Sequence, residues 1–296
     1  MYADHASRAG IRTLLAAHGE RARRLREHPI TVNGERLAAE VIDPLEGLGP
    51  VPAADLVIVA VKHAQLEEAA VLIAPLVSPS TTILSVLNGL DSERIVIDGL
   101  RRQGVHVTDD QVPLCIALAM DAERAGSEVR YTQPGRLVFG PAGTESAGGQ
   151  VDSYTARAQD ILTRAGLDWS TPEDMRHQMW WKFMVNVGIN QASAVLRAPY
   201  GAFQKPGPAY ELMMALIEET RAVAAAEGIT LSDEDVARWH AVLAGQPQNG
   251  MTSMHQDVLA GRATEVDIFA GRVVALGGEH GIPVPHNQTM LWILSH

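Results

Sequence analysis

Three polar residues interrupt an otherwise apolar stretch. From position 179 to 190 the chain reads MWWKFMVNVGIN, and only Lys182, Asn186 and Asn190 bring an ammonium or an amide. Spaced i, i+4, i+8, they would drift about 40° per step on a helix and form one stripe, with roughly 6 Å between steps. Burying an ammonium and two amides is costly unless each finds a partner. The stripe therefore faces a ligand, a polar cavity or other buried polar groups. One outcome is a satisfied packing network. The other is chemistry, with an ammonium that protonates a forming alkoxide and two amides that orient substrate oxygens. Composition singles out the lysine as well, because Lys62, Lys182 and Lys205 are the only lysines among 24 basic residues. Arginine does not give up its proton near neutral pH, whereas lysine can be tuned to do so.

Two further groups carry potential chemistry. One comprises Ser253 in the run 251–257 and Thr264-Glu265 just before an apolar helical pattern. Thr-Glu there suits a helix cap with an acid in the first turn, and Glu265 also suits a partner that keeps Lys182 charged and placed. The other follows two buried strand patterns. Lys62 and Gln65 come after 55–61, and Asn88-Gly89 after 81–86. In an open α/β sheet the carboxyl edge of the strands is where nucleotides and substrates dock, although Asn-Gly alone is commonly a turn.

The elements that must position these residues fall into two halves. Strand patterns at 11–16, 55–61, 81–86 and 112–119 alternate with helical ones near 20–26 and 65–74, which implies a mostly parallel sheet covered by helices. The runs 130–132 and 136–140, separated by Gln133-Pro134-Gly135, read as a hairpin. After about residue 170 only helical patterns remain, over 172–196, 208–227, 232–244, 252–260 and 266–280, with glycine and proline stops. The expected organisation is α/β, with a Rossmann-like domain over 1–171 and an all-helical substrate or dimerisation domain over 172–296.

Bulk properties narrow the function. The net charge is −11, and no basic run interleaves with aromatics, so nucleic acid and anionic membranes are not expected partners. The single cysteine, Cys115, rules out an internal disulfide and a thiolate metal cluster. Histidines are scattered without H-E-x-x-H or similar spacing, so no metal is expected. No basic-then-apolar leader opens the sequence, and the expected address is cytoplasmic.

In their order and spacing the motifs resemble ketopantoate reductase. They are VKxxQ at 61–65, NG at 88–89, PGRLVFG at 134–140, KxxxNxxxN at 182–190, SMxQD at 253–257, TExD at 264–267 and GIPxPxN at 281–287. The resemblance implies an NADPH-dependent oxidoreductase of pantothenate synthesis that reduces a small 2-keto acid; separately, the apolar helical half is compatible with a homodimer. The resemblance further implies that Lys182 donates a proton to the alkoxide and that Asn186, Asn190 and Ser253 hold substrate oxygens. Glu265 would lie close to Lys182 and the cofactor. Lys62, Gln65, Asn88 and the backbone near Ala122 would touch the cofactor, with Asn88 also toward substrate. Where the family often has a further substrate-binding Asn, this chain has Tyr200.

The resemblance breaks down at the beginning. The family opens with a strand and a G-x-G-x-x-G loop that receives the cofactor pyrophosphate, and no such motif occurs in this sequence. Residues 2–10 read instead as the later part of the following helix, which makes 11–16 the fold's second strand. The first strand normally lies mid-sheet, so its absence would leave unpaired groups on both neighbours. The arginine expected for the 2′-phosphate just after 11–16 is replaced near Ala17-His18, with Arg21 close by. A start site set downstream, a truncation, or a scaffold that no longer takes a dinucleotide in the usual way would each produce this pattern. The last corresponds to a non-redox member that binds or rearranges another metabolite at the same site.

Overall fold

The computed structural model describes residues 1–47, 51–143 and 152–295. Two compact units emerge, Met1–Leu87 with Asp91–Met175, and Asn88–Leu90 with Arg176–His296.

In the first unit, α1 (Tyr2–Arg8) precedes β1 (Leu14–Ala16) and α2 (Gly19–Glu27). β2 (Thr31–Val32) and β3 (Glu35–Arg36) form a hairpin over Asn33-Gly34, whose φ angles of +49° and +85° are those of a two-residue turn that needs left-handed backbone. β4 (Glu40–Ile42) returns parallel to β1. β5 (Leu56–Val59), α3 (Leu66–Ile73) and β6 (Thr82–Ser85) form a parallel βαβ unit. Next come α4 (Ser92–Arg102), β7 (Leu114–Leu118), β8 (Glu123–Ala125), β9 (Glu128–Arg130), β10 (Arg136–Gly140), α5 (Ser153–Arg164) and β11 (Asp168–Ser170). Among the described residues β1 pairs only with β4 and β5 only with β6, so no ladder joins the two parallel pairs.

β6 is buried along its whole length because both faces are covered. Ile83 joins a cluster with Val57, Val59, Leu66, Val96 and Leu100, while Leu84, one residue on, joins Cys115, Leu137, Phe139 and Leu162 on the other face. Glu93, in the first turn of α4, is buried as well. Its carboxyl accepts the Cys115 N–H at 3.1 Å and the Ser92 hydroxyl at 2.8 Å, and burial pushes its pKa up to about 7.

The expected hairpin between 130–132 and 136–140 does not form. β9 pairs antiparallel with β8 across Gly126-Ser127 and parallel with β2, while β10 pairs antiparallel with β7 and parallel with β11. The Gln133-Pro134-Gly135 segment is held elsewhere. Asp121 accepts the N–H groups of Thr132 and Gln133, and a Cβ at Gly135 (φ +69°) would collide with the Leu118 carbonyl oxygen.

The second unit is helical, with α6 (Met175–Leu196), α7 (Pro208–Ala226), α8 (Asp233–Ala244), α9 (Ser253–Leu259), α10 (Ala270–His280) and α11 (Pro285–Leu294). The pattern read as one helix over 266–280 is broken. A 3-10 turn at Val266–Ile268 precedes α10, with Phe269 at φ −107° and ψ −88° between them. Trp180, Trp181, Phe183, Met184, Val187 and Ile189 of α6 all enter the core, as expected of a helix apolar on nearly every face. A Cβ on Gly188 would lie 2.7 Å from Ile217 Cγ1, so glycine sets how closely α6 and α7 approach. No helix among the described residues is long and apolar enough to cross a membrane.

Candidate active site

Lys182, Asn186 and Asn190 occupy successive turns of α6. Asn186 and Asn190 are nearly buried, at 7 % and 8 % exposure. Among the described residues nothing accepts a hydrogen bond from the Lys182 ammonium or pairs with it, and burial lowers its pKa. The Asn190 amide likewise has no protein partner among the described residues, although it is as buried as Asn186.

Asn186 is tied to the three-residue excursion Asn88–Leu90, which belongs to this unit. Its amide donates to Asn88 Oδ1 at 3.3 Å, and Asn88 Nδ2 donates in turn to Glu265 Oε2 at 3.4 Å. Gly89, at φ +101°, makes the turn that holds Asn88 in place, against Ile268. Asn88, Asn186 and Glu265 are thus brought together, whereas the expected ion pair between Glu265 and Lys182 is not formed. The carboxylate takes the Asn88 amide instead, and no charge offsets the desolvation of the ammonium. Thr264 precedes the N-cap of the 3-10 turn, which is Glu265, and its hydroxyl accepts the Val266 N–H at 3.4 Å and donates to the Leu294 carbonyl at 3.1 Å.

Ser253 is the first residue of α9, and its side chain is exposed. Its neighbour Thr252 caps that helix by accepting the His255 N–H at 3.1 Å, and meets Ser193 Oγ at 2.7 Å. Ser193 donates to the Asn190 carbonyl at 3.0 Å, so the proton between the two hydroxyls comes from Thr252. This relay fixes the start of α9, and with it Ser253, beside the Asn190 turn. Thr252 stands in the run 251–257 and its place before SMxQD is the sequence signal for a cap, whereas nothing local marks Ser193. A second network anchors α6 from behind. Gln191, fully buried, donates to Asn287 Oδ1 and accepts the Ala270 N–H, and Asn287 donates to Glu219. The last motif, GIPxPxN, therefore serves packing through Asn287.

In the first unit, Lys62 and Gln65 follow β5, both exposed, and the Gln65 side chain accepts the Lys62 N–H at 3.3 Å. Ala122 lies in an exposed loop before β8. At the carboxyl ends of β1 and β4 stand His18 and Asp43. The Asp43 carboxylate accepts the Gly19 N–H at 2.8 Å, the Leu45 N–H at 3.1 Å and His18 Nδ1 at 2.9 Å. The ammonium and amide after β5, and the imidazole and carboxylate after β1 and β4, each stand at the carboxyl ends of parallel strands, the kind of place where α/β sheets bind ligands. The glycine loop that would seat a pyrophosphate is not in the sequence.

Two family models match, described as ketopantoate reductase PanE/ApbA over residues 1–144 and its C-terminal part over 174–296. The chain belongs to the ketopantoate reductase family. Within the family, a 2-dehydropantoate 2-reductase of Halobacterium salinarum is 29 % identical over 280 residues, covering 94 % of this chain and 88 % of the relative. The PanE/ApbA family ketopantoate reductase of Ralstonia eutropha JMP134 superposes with a TM-score of 0.77 at 27 % identity, over 99 % of this chain and 92 % of that one. A D-mandelate dehydrogenase solved with NADH and anilino(oxo)acetate shares the fold, with a TM-score of 0.82 at 21 % identity over 99 % and 93 % of the two chains.

Proposed function

We propose that this chain reduces a small 2-keto acid to the 2-hydroxy acid, ketopantoate being the first member to test, with Lys182 as the proton donor. The observation that carries this is the Lys182 ammonium, desolvated and without a protein partner among the described residues, in line with two buried amides on α6. A nicotinamide dinucleotide, when bound, supplies the hydride to the keto carbon. The protein's part is to hold the carbonyl and neutralise the oxygen as charge develops on it. Burial makes Lys182 a stronger acid than a surface lysine, which favours transfer of its proton to an alkoxide. Asn190, with free hydrogen-bonding capacity, and Ser253, placed beside its turn by the Thr252–Ser193 contact, are suited to the substrate carboxylate. Asn186 is held in rotamer by Asn88, whose own amide is held by Glu265. Glu265 is thus assigned to positioning, one step removed from the proton transfer.

Lys62 and Gln65 are the first unit's candidates for cofactor contact, with Ala122 offering only backbone. The family resemblance implies NADPH, and the choice between it and NADH is made at the adenosine-ribose end. The test is reduction of ketopantoate by the purified chain with each cofactor, alongside Lys182→Ala. A loss of about 10²–10⁴-fold in kcat with cofactor affinity retained is expected. Turnover unchanged by Lys182→Ala would remove the lysine from the mechanism. Failure to bind either dinucleotide would favour a non-redox member that takes another metabolite beside Lys182.

A further inference from the structure

The parallel pair β1–β4 brings Ala17-His18 and Asp43 to the same carboxyl edge, the Ala17 N–H still bonded to the Ile42 carbonyl. In a doubly wound sheet this edge receives the adenosine ribose, and the side chains there decide whether the ribose 2′ position carries a hydroxyl or a phosphate. A 2′-phosphate needs cations and free N–H donors at this point. Here the first N–H of α2, on Gly19, is already bonded to a carboxylate of the chain itself, Asp43 Oδ2 at 2.8 Å. The His18 ring is committed to the same carboxylate. Asp43 is held by three donors, and its side chain is only 5 % exposed, so it cannot readily swing aside. Of the arginines on α2, Arg23 is engaged by Glu20 and Glu27, and Arg26 reaches Glu46 at 3.4 Å. Arg21 and Arg24 make no such ion pair among the described residues, Arg21 lying in the first turn of the helix.

We infer that Asp43, braced by His18 and the Gly19 N–H, makes this chain select NADH over NADPH. This rests on its being a dinucleotide-dependent reductase. The charge of this carboxylate repels a phosphate dianion at the 2′ position and leaves a neutral hydroxyl unopposed, so specificity arises from a repulsive element. The resemblance to a family expected to use NADPH gives no hint of this. The determinant is brought in from the neighbouring strand, well away in sequence from the residues that directly follow β1.

The test is calorimetric titration of the full chain with NADH, NADPH, ADP-ribose and 2′-phospho-ADP-ribose, repeated for Asp43→Asn and Arg21→Ala. Asparagine keeps an acceptor for the Gly19 N–H and removes the charge. Tighter binding of NADH and ADP-ribose by about tenfold or more, with the gap closing in Asp43→Asn, is the expected result. The wild-type ratio alone carries the test should the variant fail to fold. Equal or tighter binding of the 2′-phosphorylated ligands, lost in Arg21→Ala, would overturn the assignment while leaving the reductase function intact. Binding of none of the four would overturn both.

Discussion

Glu93 permits a quantitative test of the first unit's core. An acid whose folded pKa is about 7, against an ordinary 4.5, keeps its proton in the folded state over a range where the unfolded chain has lost it. Stability is therefore full below about pH 4.5, falls as pH rises, and has lost the whole contribution once pH passes about 7. The difference corresponds to about 3 kcal/mol at 1.36 kcal/mol per pKa unit. Glu93→Gln removes the titration yet leaves an oxygen to accept the Cys115 N–H. The assay is built into the chain, because Cys115 is the only cysteine and is completely buried beside the carboxyl. Its labelling by a dithiodipyridine reagent, corrected for intrinsic thiolate reactivity, reports how often this core opens. Between pH 5 and 8.5, protection of the wild type should fall by roughly two orders of magnitude relative to Glu93→Gln. A constant ratio across that range would mean that Glu93 is ionised throughout, and the argument from burial would be wrong.

Three other outcomes are expected. Because burial lowers the Lys182 pKa, keto-acid reduction should decline as pH rises through that lowered value; Lys182→Arg should abolish this alkaline limb in the pH–rate profile and stay slow. Asn88→Ala should lower kcat/KM by about tenfold or more and cost about 1–2 kcal/mol, since it unpairs Asn186 and Glu265 together; unchanged kinetics would show that the relay does not position Asn186. Gly188→Ala should destabilise the helical unit by about 1–3 kcal/mol, read from urea unfolding by Trp180 and Trp181 fluorescence, because the new Cβ meets Ile217 at 2.7 Å.

What the sequence made legible was what a single local pattern determines. The β-branched run at 55–61 reads as a strand and forms β5, with Val57 and Val59 buried and Leu56 and Ile58 half-buried, and the polar stripe on α6 follows from the helical repeat. Pairing was harder to read, because it depends on contacts distant in sequence. Gln133-Pro134-Gly135 has turn chemistry, but Asp121 captures the Thr132 and Gln133 N–H groups at its start and the true hairpin turn is Gly126-Ser127. The absence of an ion pair between Glu265 and Lys182 has a similar origin. Thr264-Glu265 lies next to an apolar helical pattern, and nothing local reveals that Asn88, 177 positions earlier, claims the carboxylate. Helices α4, α5 and α11 lie outside the patterns read from the sequence, although 92–102 places Val96, Ile97 and Leu100 at helical spacing on its buried face.

The excursion Asn88–Leu90 bears on how this architecture can be divided. A fragment beginning at Arg176 would contain every helix from α7 to α11 and nearly all of α6, yet it would lack the residue that links Asn186 to Glu265. The helical unit is discontinuous in the gene although compact in space. A chimera that exchanges helical halves between relatives must therefore carry over two segments, one of them three residues long and embedded in the other half. Recombination at the single obvious junction would pair one parent's Asn88 with the other's α6, which couples the evolution of the two segments despite the distance between them in sequence.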